Sequence, residues 1–251
     1  MNASLNRITV HRDAAGARVY REWVAENIAS LIGVDPATEV AAQRIAAERG
    51  LAPAVLDFDA TARVMSMSFV EGATLEVDWM LRPARCAAMQ ELLEKLRGIR
   101  VLQLPKIDPA ERLGVLHARL GTLDASRAAT LAAQVDQALE AWWRAGGESR
   151  DDVLVHGDLS PANIIVRNDE SLSLIDWEYA HRGDVDEDLA GLAVQIEEES
   201  AAWRLLESWS RRPAVFATRV RLRRQLDTVW HALAAAASAG ATSSFLGDAS
   251  G

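Results

Sequence analysis

The stretch from Val155 to Asp188 constrains this chain more than any other. It reads Val-His-Gly-Asp-Leu-Ser-Pro-Ala-Asn-Ile-Ile-Val, then Leu-Ile-Asp-Trp-Glu-Tyr-Ala, then Gly-Asp-Val-Asp-Glu-Asp-Leu. Asp158 and Asn163 lie across a proline-containing loop that follows the short apolar strand 153–155. A hairpin comes next, with strands at 163–166 and 172–176 around a polar turn at 167–171. It can return Asp176 to the side of Asn163. Taken singly, each of these residues could cap a turn or a helix. Together, with His156, Gly157 and Trp177 between them, they have the spacing of a phosphoryl-transfer site.

The chemistry explains why these residue types are needed. Phosphoryl transfer has a loose transition state with charge spread over the transferred oxygens, so positioning and electrostatics dominate. Magnesium takes hard oxygen ligands and keeps some of its waters, which a carboxylate and an amide oxygen suit. A further carboxylate can orient the attacking hydroxyl. With a pKa near 4, it accepts the proton late rather than ionising the alcohol early.

Composition narrows the class. The chain has 251 residues and a formal charge of −9. An acidic balance disfavours nucleic acid, whose phosphates need a concentrated basic surface. The single cysteine, Cys86, permits neither an intramolecular disulfide nor a cysteine cluster for zinc. No apolar run reaches the roughly 20 residues that span a bilayer. The first residues show no basic segment followed by an apolar run. A cytoplasmic protein with no membrane or nucleic-acid partner is expected, and nothing in the pattern specifies an oligomeric state.

Periodicity gives an α+β organisation. Residues 7–12 and 17–22 alternate like two strands around a turn at 13–16. Asp35-Pro36 opens a helix that Gly50 closes. Strands are expected at 54–58 and 63–70, and Glu71-Gly72 is the candidate hinge. From residue 83 the pattern is mostly helical: 84–96, 109–120 behind Asp108 and Glu111 as a capping box, and 125–145 before Gly146-Gly147. After Gly183 it is helical again to about Ala241. The expected units are a small β-rich lobe at 1–72, a helical lobe at 73–240 and a flexible tail at 241–251.

His156-Gly-Asp-Leu-Ser-Pro-Ala-Asn163 and Ile175-Asp-Trp-Glu-Tyr-Ala180, with Gly183-Asp184 and Asp188-Leu-Ala190 downstream, resemble the motifs of the aminoglycoside phosphotransferase and choline kinase superfamily. That superfamily includes choline kinase-like and thiamine kinase-like proteins. The resemblance implies a bilobal protein kinase-like fold and transfer of the ATP γ-phosphate to a small-molecule hydroxyl. By motif position, Asp158 would be the catalytic aspartate and Asn163 and Asp176 the Mg2+ ligands. His156 and Asp188 would shape the loop. Upstream, Arg21 paired with Glu39 would reach the nucleotide phosphates, Arg serving where the family has a basic residue. Ser68 to Gly72, with Phe69 and Glu71, would be the hinge beside the adenine.

One departure stands out. The loop that covers the phosphates in such kinases could only be Ala3-Ser-Leu-Asn6, which has no glycine and no strand before it. Either the start lies downstream of the natural one or the lobe is shortened. For the acceptor, Trp177 and Glu178 are the candidates, with Tyr179 and the stretch 197–209 behind them. Aromatic faces and carboxylates suit a cation such as choline, thiamine or an amino alcohol. Two alternatives remain: an aminoglycoside or aminosugar kinase, and a non-catalytic pseudokinase-like binding protein.

Overall fold

The computed structural model describes residues 6–14, 16–24, 26–76, 82–147, 151–194 and 196–247. Its N-terminal part is a four-stranded antiparallel sheet of β1 (Asn6–Asp13), β2 (Gly16–Trp23), β3 (Val55–Asp59) and β4 (Val64–Ser68), in the order β1-β2-β4-β3. Between β2 and β3 lie the short helix α1 (Glu26–Ile32) and α2 (Pro36–Ala47). Asp35 caps α2 by accepting from the Ala37 and Thr38 amides. Alternation along β2 turns Arg21 and Trp23 inward, where Trp23 packs with Val40 of α2 and with Met65 and Met67 of β4.

The chain leaves this sheet at residues 69–72 and at once joins a second one. There β5 (Ala73–Thr74) pairs with β7 (Ile164–Val166), which pairs with β8 (Leu172–Leu174). Gly72 has φ +152, and a Cβ there would overlap the carbonyl of Val166, so only glycine fits this crossing. A third sheet pairs β6 (Val153–Val155) with β9 (His181–Gly183).

Helices build the remainder: α3 (Pro83–Arg97), α4 (Pro109–Leu123), α5 (Ala125–Arg144), α6 (Glu187–Ala193), α7 (Ala201–Trp209) and α8 (Pro213–Gly247). Asp108 caps α4 through the Ala110 and Glu111 amides. This helix runs past Gly121, its expected end, to Leu123, and Gly121 lies on the side that faces Ala128 of α5. Likewise α8 continues to Gly247, into the stretch expected as a tail.

Two cores hold the helical part. One joins α2, α3 and β8 to α6 and α7 through Ala46, Met89, Leu174, Trp177 and Trp203. The other joins α1, α4, α5 and α8 through Ile32, Leu113, Leu120, Trp142 and Val229. A small sheet-rich part and a larger helical part thus face each other, as the resemblance implies. Among the described residues no helix is long and apolar enough to cross a membrane.

Candidate active site

The loop after β6 is built by buried backbone contacts. Asp188, near the start of α6, accepts hydrogen bonds from the amides of His156 (2.8 Å) and Gly157 (3.0 Å). Burial pushes the Asp188 pKa up, opposed by His156 and by those two amides. The His156 ring sits between two backbone groups: Nε2 is 2.9 Å from the Ile175 carbonyl and Nδ1 is 3.3 Å from the Asp158 amide. A neutral imidazole protonated on Nε2 satisfies both. Gly157 has φ +81, and a Cβ there would overlap the Tyr179 carbonyl.

Gly157→Ala is therefore expected to cost about 1–3 kcal/mol from backbone strain. Displacement of the neighbouring Asp158 should add roughly a 100-fold loss of turnover. Thermal unfolding and steady-state turnover read the two effects; a variant matching the wild type in both would show that the loop tolerates the methyl.

Asp158 and Asn163 meet directly. Asn163 Nδ2 donates to both the carbonyl and the Oδ2 of Asp158, each at 2.9 Å, so its amide oxygen faces elsewhere. On the other side, Arg223 of α8 holds Asp158 Oδ1 at 2.9 Å and the Gly157 carbonyl at 2.6 Å. Burial raises the Asp158 pKa and Arg223 opposes it, which makes the carboxylate a better proton acceptor than a solvated one. Asp227 anchors Arg223 at 2.8 Å from one helical turn away. Burial disfavours the Arg223 charge, but Asp227 and Asp158 outweigh it and hold the guanidinium protonated.

The hairpin brings in Asp176. The Ile175 amide donates to the Asn163 carbonyl at 3.0 Å, which pins the end of β8 beside Asn163. Asp176 adopts φ +67, a left-handed conformation that Asp tolerates better than most residues. Arg21 then ties the sheet to this hairpin, meeting Glu39 Oε1 and Asp176 Oδ1 at 2.8 Å and Glu178 Oε2 at 2.7 Å. Burial opposes its charge, and the three carboxylates overcome that. Glu39 also accepts from Trp23 Nε1 at 2.8 Å. Burial still lifts its pKa to about 8, although Arg21 pulls the other way. Asn6, the one described residue of the expected phosphate-covering segment, donates to Glu178 at 2.7 Å; residues 3–5 lie outside the described residues.

A cavity of about 320 Å3 opens beside Asp158, lined among others by Arg112, Glu178, Tyr179, Arg223, Asp227 and Trp230. Glu178 reaches it as expected from the sequence. Trp177 does not: it is fully buried, stacks near His156 with centroids 4.6 Å apart, and donates Nε1 to the Leu174 carbonyl at 3.2 Å. Its expected role as an acceptor contact is corrected to that of a core anchor. Trp203 and Trp209 are buried as well. Phe69 and Glu71 line a separate hollow of about 390 Å3 with Pro53 and Arg167.

Sequence reasoning missed Arg112, Arg223, Asp227 and Trp230. The last three recur at helical spacing on one face of α8, and a charged pair four residues apart with Trp on the same stripe was the available signal.

Two oxygens, from Asn163 and Asp176, are the candidate metal ligands. Asp176 Oδ1 is buried and already faces a cation, the Arg21 guanidinium at 2.8 Å, so a metal ion bound there would take over that charge. Among the described residues no group of three or more His, Cys, Asp or Glu side chains is arranged as a metal cage. A hard ion that keeps waters and phosphate oxygens in its shell fits that sparse set.

This two-part fold, with a loop carboxylate bound to an adjacent amide and a hairpin carboxylate returned to their side, defines a small-molecule phosphotransferase. The chain belongs to the phosphotransferase enzyme family (APH), whose model matches residues 34–235. Among solved structures it is similar to the choline kinase LicA from Streptococcus pneumoniae, with 18% identity over 90% of this chain and 80% of that one and a TM-score of 0.71. A choline/ethanolamine kinase family protein from Mesorhizobium loti gives 21% identity, 92% and 76% coverage and a TM-score of 0.66. The aminoglycoside phosphotransferase APH(4)-Ia, in a ternary complex with ADP and hygromycin B, gives 16% identity, 96% and 92% coverage and a TM-score of 0.63. No curated protein sequence matches the chain.

Proposed function

We propose that this chain transfers the γ-phosphate of ATP to the hydroxyl of a small, positively charged metabolite of the amino-alcohol kind. The observation that carries this is that Asp158, bound to Asn163, and Glu178, bound through Arg21 to Asp176, both line a cavity large enough for such an acceptor. Asp158, oriented by Arg223 and Asn163, aligns the acceptor hydroxyl and takes its proton late. Asn163 and Asp176 would hold a magnesium ion, which would supply neutralising charge to the phosphate oxygens. Arg21 leaves the carboxylates for the nucleotide phosphates when these arrive, and the stretch from Phe69 to Glu71 lies along the base. The acid groups of Glu178 and Asp227, with the Tyr179 and Trp230 rings, suit an ammonium.

The test is phosphate transfer from labelled ATP to a panel of choline, ethanolamine, thiamine and aminoglycosides, with and without magnesium. Transfer to an amino alcohol that chelation abolishes is the expected result. Asp176→Ala should raise the magnesium requirement by about 100-fold, the upper range for a disturbed metal shell. Binding of ATP without transfer to any acceptor would point to a binding protein, and transfer to aminoglycosides alone would replace the acceptor class.

A further inference from the structure

We infer that the acceptor carries a carboxylate as well as its hydroxyl, and that Arg112 binds it; this rests on the phosphotransfer proposed above. The carrying feature is a guanidinium on the cavity wall that has no ion pair of its own, although Asp158, Glu178 and Asp227 line the same cavity. Arg112, from the first turn of α4, lines the cavity together with Tyr179, Trp230 and His231. Its guanidinium lies over the Tyr179 ring, 5.2 Å from the centroid. Tyr179 in turn meets Trp230 edge-on at 6.2 Å. The polar contact of Arg112 is with the Ile32 carbonyl, at 3.5 Å. Among the described residues no carboxylate comes within salt-bridge distance of it.

The other inward-facing arginines behave differently. Arg21 has three carboxylates, Arg97 has Asp186, Arg219 has Asp184, and Arg223 has Asp158 and Asp227. A charge withdrawn from water without a partner is costly, so evolution of a stable fold removes it unless an anion visits. Burial indeed works against the Arg112 charge, and neighbouring Arg223 adds to that. Two neutral donors on the same wall are also unspent: the Tyr179 hydroxyl and the Trp230 indole N–H are buried with no hydrogen-bond partner among the described residues. Arg112, Gly157, Arg223 and Leu226 also border a smaller adjoining cavity of about 30 Å3, so Arg112 stands at the deep seam of the acceptor space.

A planar guanidinium matches the two oxygens of a carboxylate, which it can bind through parallel hydrogen bonds. The carboxylates of Glu178 and Asp227 line the same space and leave room for an ammonium. The acceptor class is then a hydroxylated amino acid, an amino alcohol whose ammonium is accompanied by a carboxylate.

The experiment uses the full chain with magnesium and a non-hydrolysable ATP analogue. Hydroxy acids of three to five carbons, with and without an α-amino group, are titrated against their own carboxamides. At least one acid should bind about tenfold or more tightly than its carboxamide, the scale of a charged hydrogen bond. Arg112→Met should erase that preference while the affinity for the ATP analogue stays as in the wild type. Arg112→Lys should retain part of it, and serves if the Met variant does not fold. No preference for any acid, a preference that survives Arg112→Met, or a loss of nucleotide affinity in that variant would each overturn the assignment. The two proposals fail separately. Transfer to choline with a KM unchanged in Arg112→Met removes the carboxylate and keeps the kinase. Acid preference without transfer to any alcohol does the reverse.

Discussion

Replacing Asp158 with alanine is expected to lower turnover by roughly 1,000-fold, within the range that a positioned proton acceptor contributes. Affinity for magnesium and ATP should stay near that of the wild type. The separation follows from the contacts. Asp158 is held by Asn163 and Arg223 on the cavity side, whereas Arg21 and Asp176 face the hairpin and sheet. Arg223 keeps Asp227 in the variant, so no buried guanidinium is orphaned. Single-turnover transfer and nucleotide titration read the two quantities independently. Turnover near the wild-type level would remove Asp158 from the chemistry. A parallel loss of nucleotide affinity would make it a binding group instead.

Arg21→Met should be the most destabilising single change at the site. It leaves Glu39, Asp176 and Glu178 near one another with no cation. Breaking a buried ion pair from one side costs about 3–5 kcal/mol, and in a chain of this size the midpoint of thermal unfolding would fall by roughly 10 °C.

The sign of the pH dependence follows from linkage. Glu39 titrates near 8 in the fold against an ordinary value of 4.5, so the folded state holds a proton that the unfolded chain has released. Stability from this group is present below the ordinary value and is lost as pH rises toward the folded one. Without Arg21 the folded value rises further, so the loss continues to higher pH and the variant separates from the wild type mainly above about pH 8. Magnesium should restore part of the lost stability in the variant by supplying a cation to Asp176. Calorimetric unfolding at several pH values, with and without magnesium, measures all of this. A variant as stable as the wild type at neutral pH would show the three carboxylates to be protonated or hydrated without Arg21's help.

Much of this site was legible because its chemistry is written in contiguous sequence. Asp158 to Asn163 is one loop, and Asp176 returns on the next hairpin. The pairing of Arg21 with Glu39 was readable through the family resemblance alone, which implies a basic strand residue facing a helix glutamate. What stayed hidden depends on packing between distant elements. Trp177 follows Asp176 directly, yet its ring turns into the core against His156. Arg112 and Trp230 come from α4 and α8, helices whose apolar stripes announce burial and not which polar residue is left at a cavity rim. The shortest elements also escaped: α1, β5 and β9 are too brief to show a period, and β5 exists because β7 offers it an open edge.

That last pairing has a mechanical consequence. The strand entered directly after Gly72 is hydrogen-bonded to the hairpin that carries Asn163, and the Leu75 amide continues the ladder to the Ile164 carbonyl at 2.8 Å. The crossing is therefore clamped on its far side to the same rigid piece as the loop that faces the acceptor. The positions of Asn163 and Asp176 relative to the end of the sheet are thus fixed by strand pairing as well as by the ion pairs of Arg21.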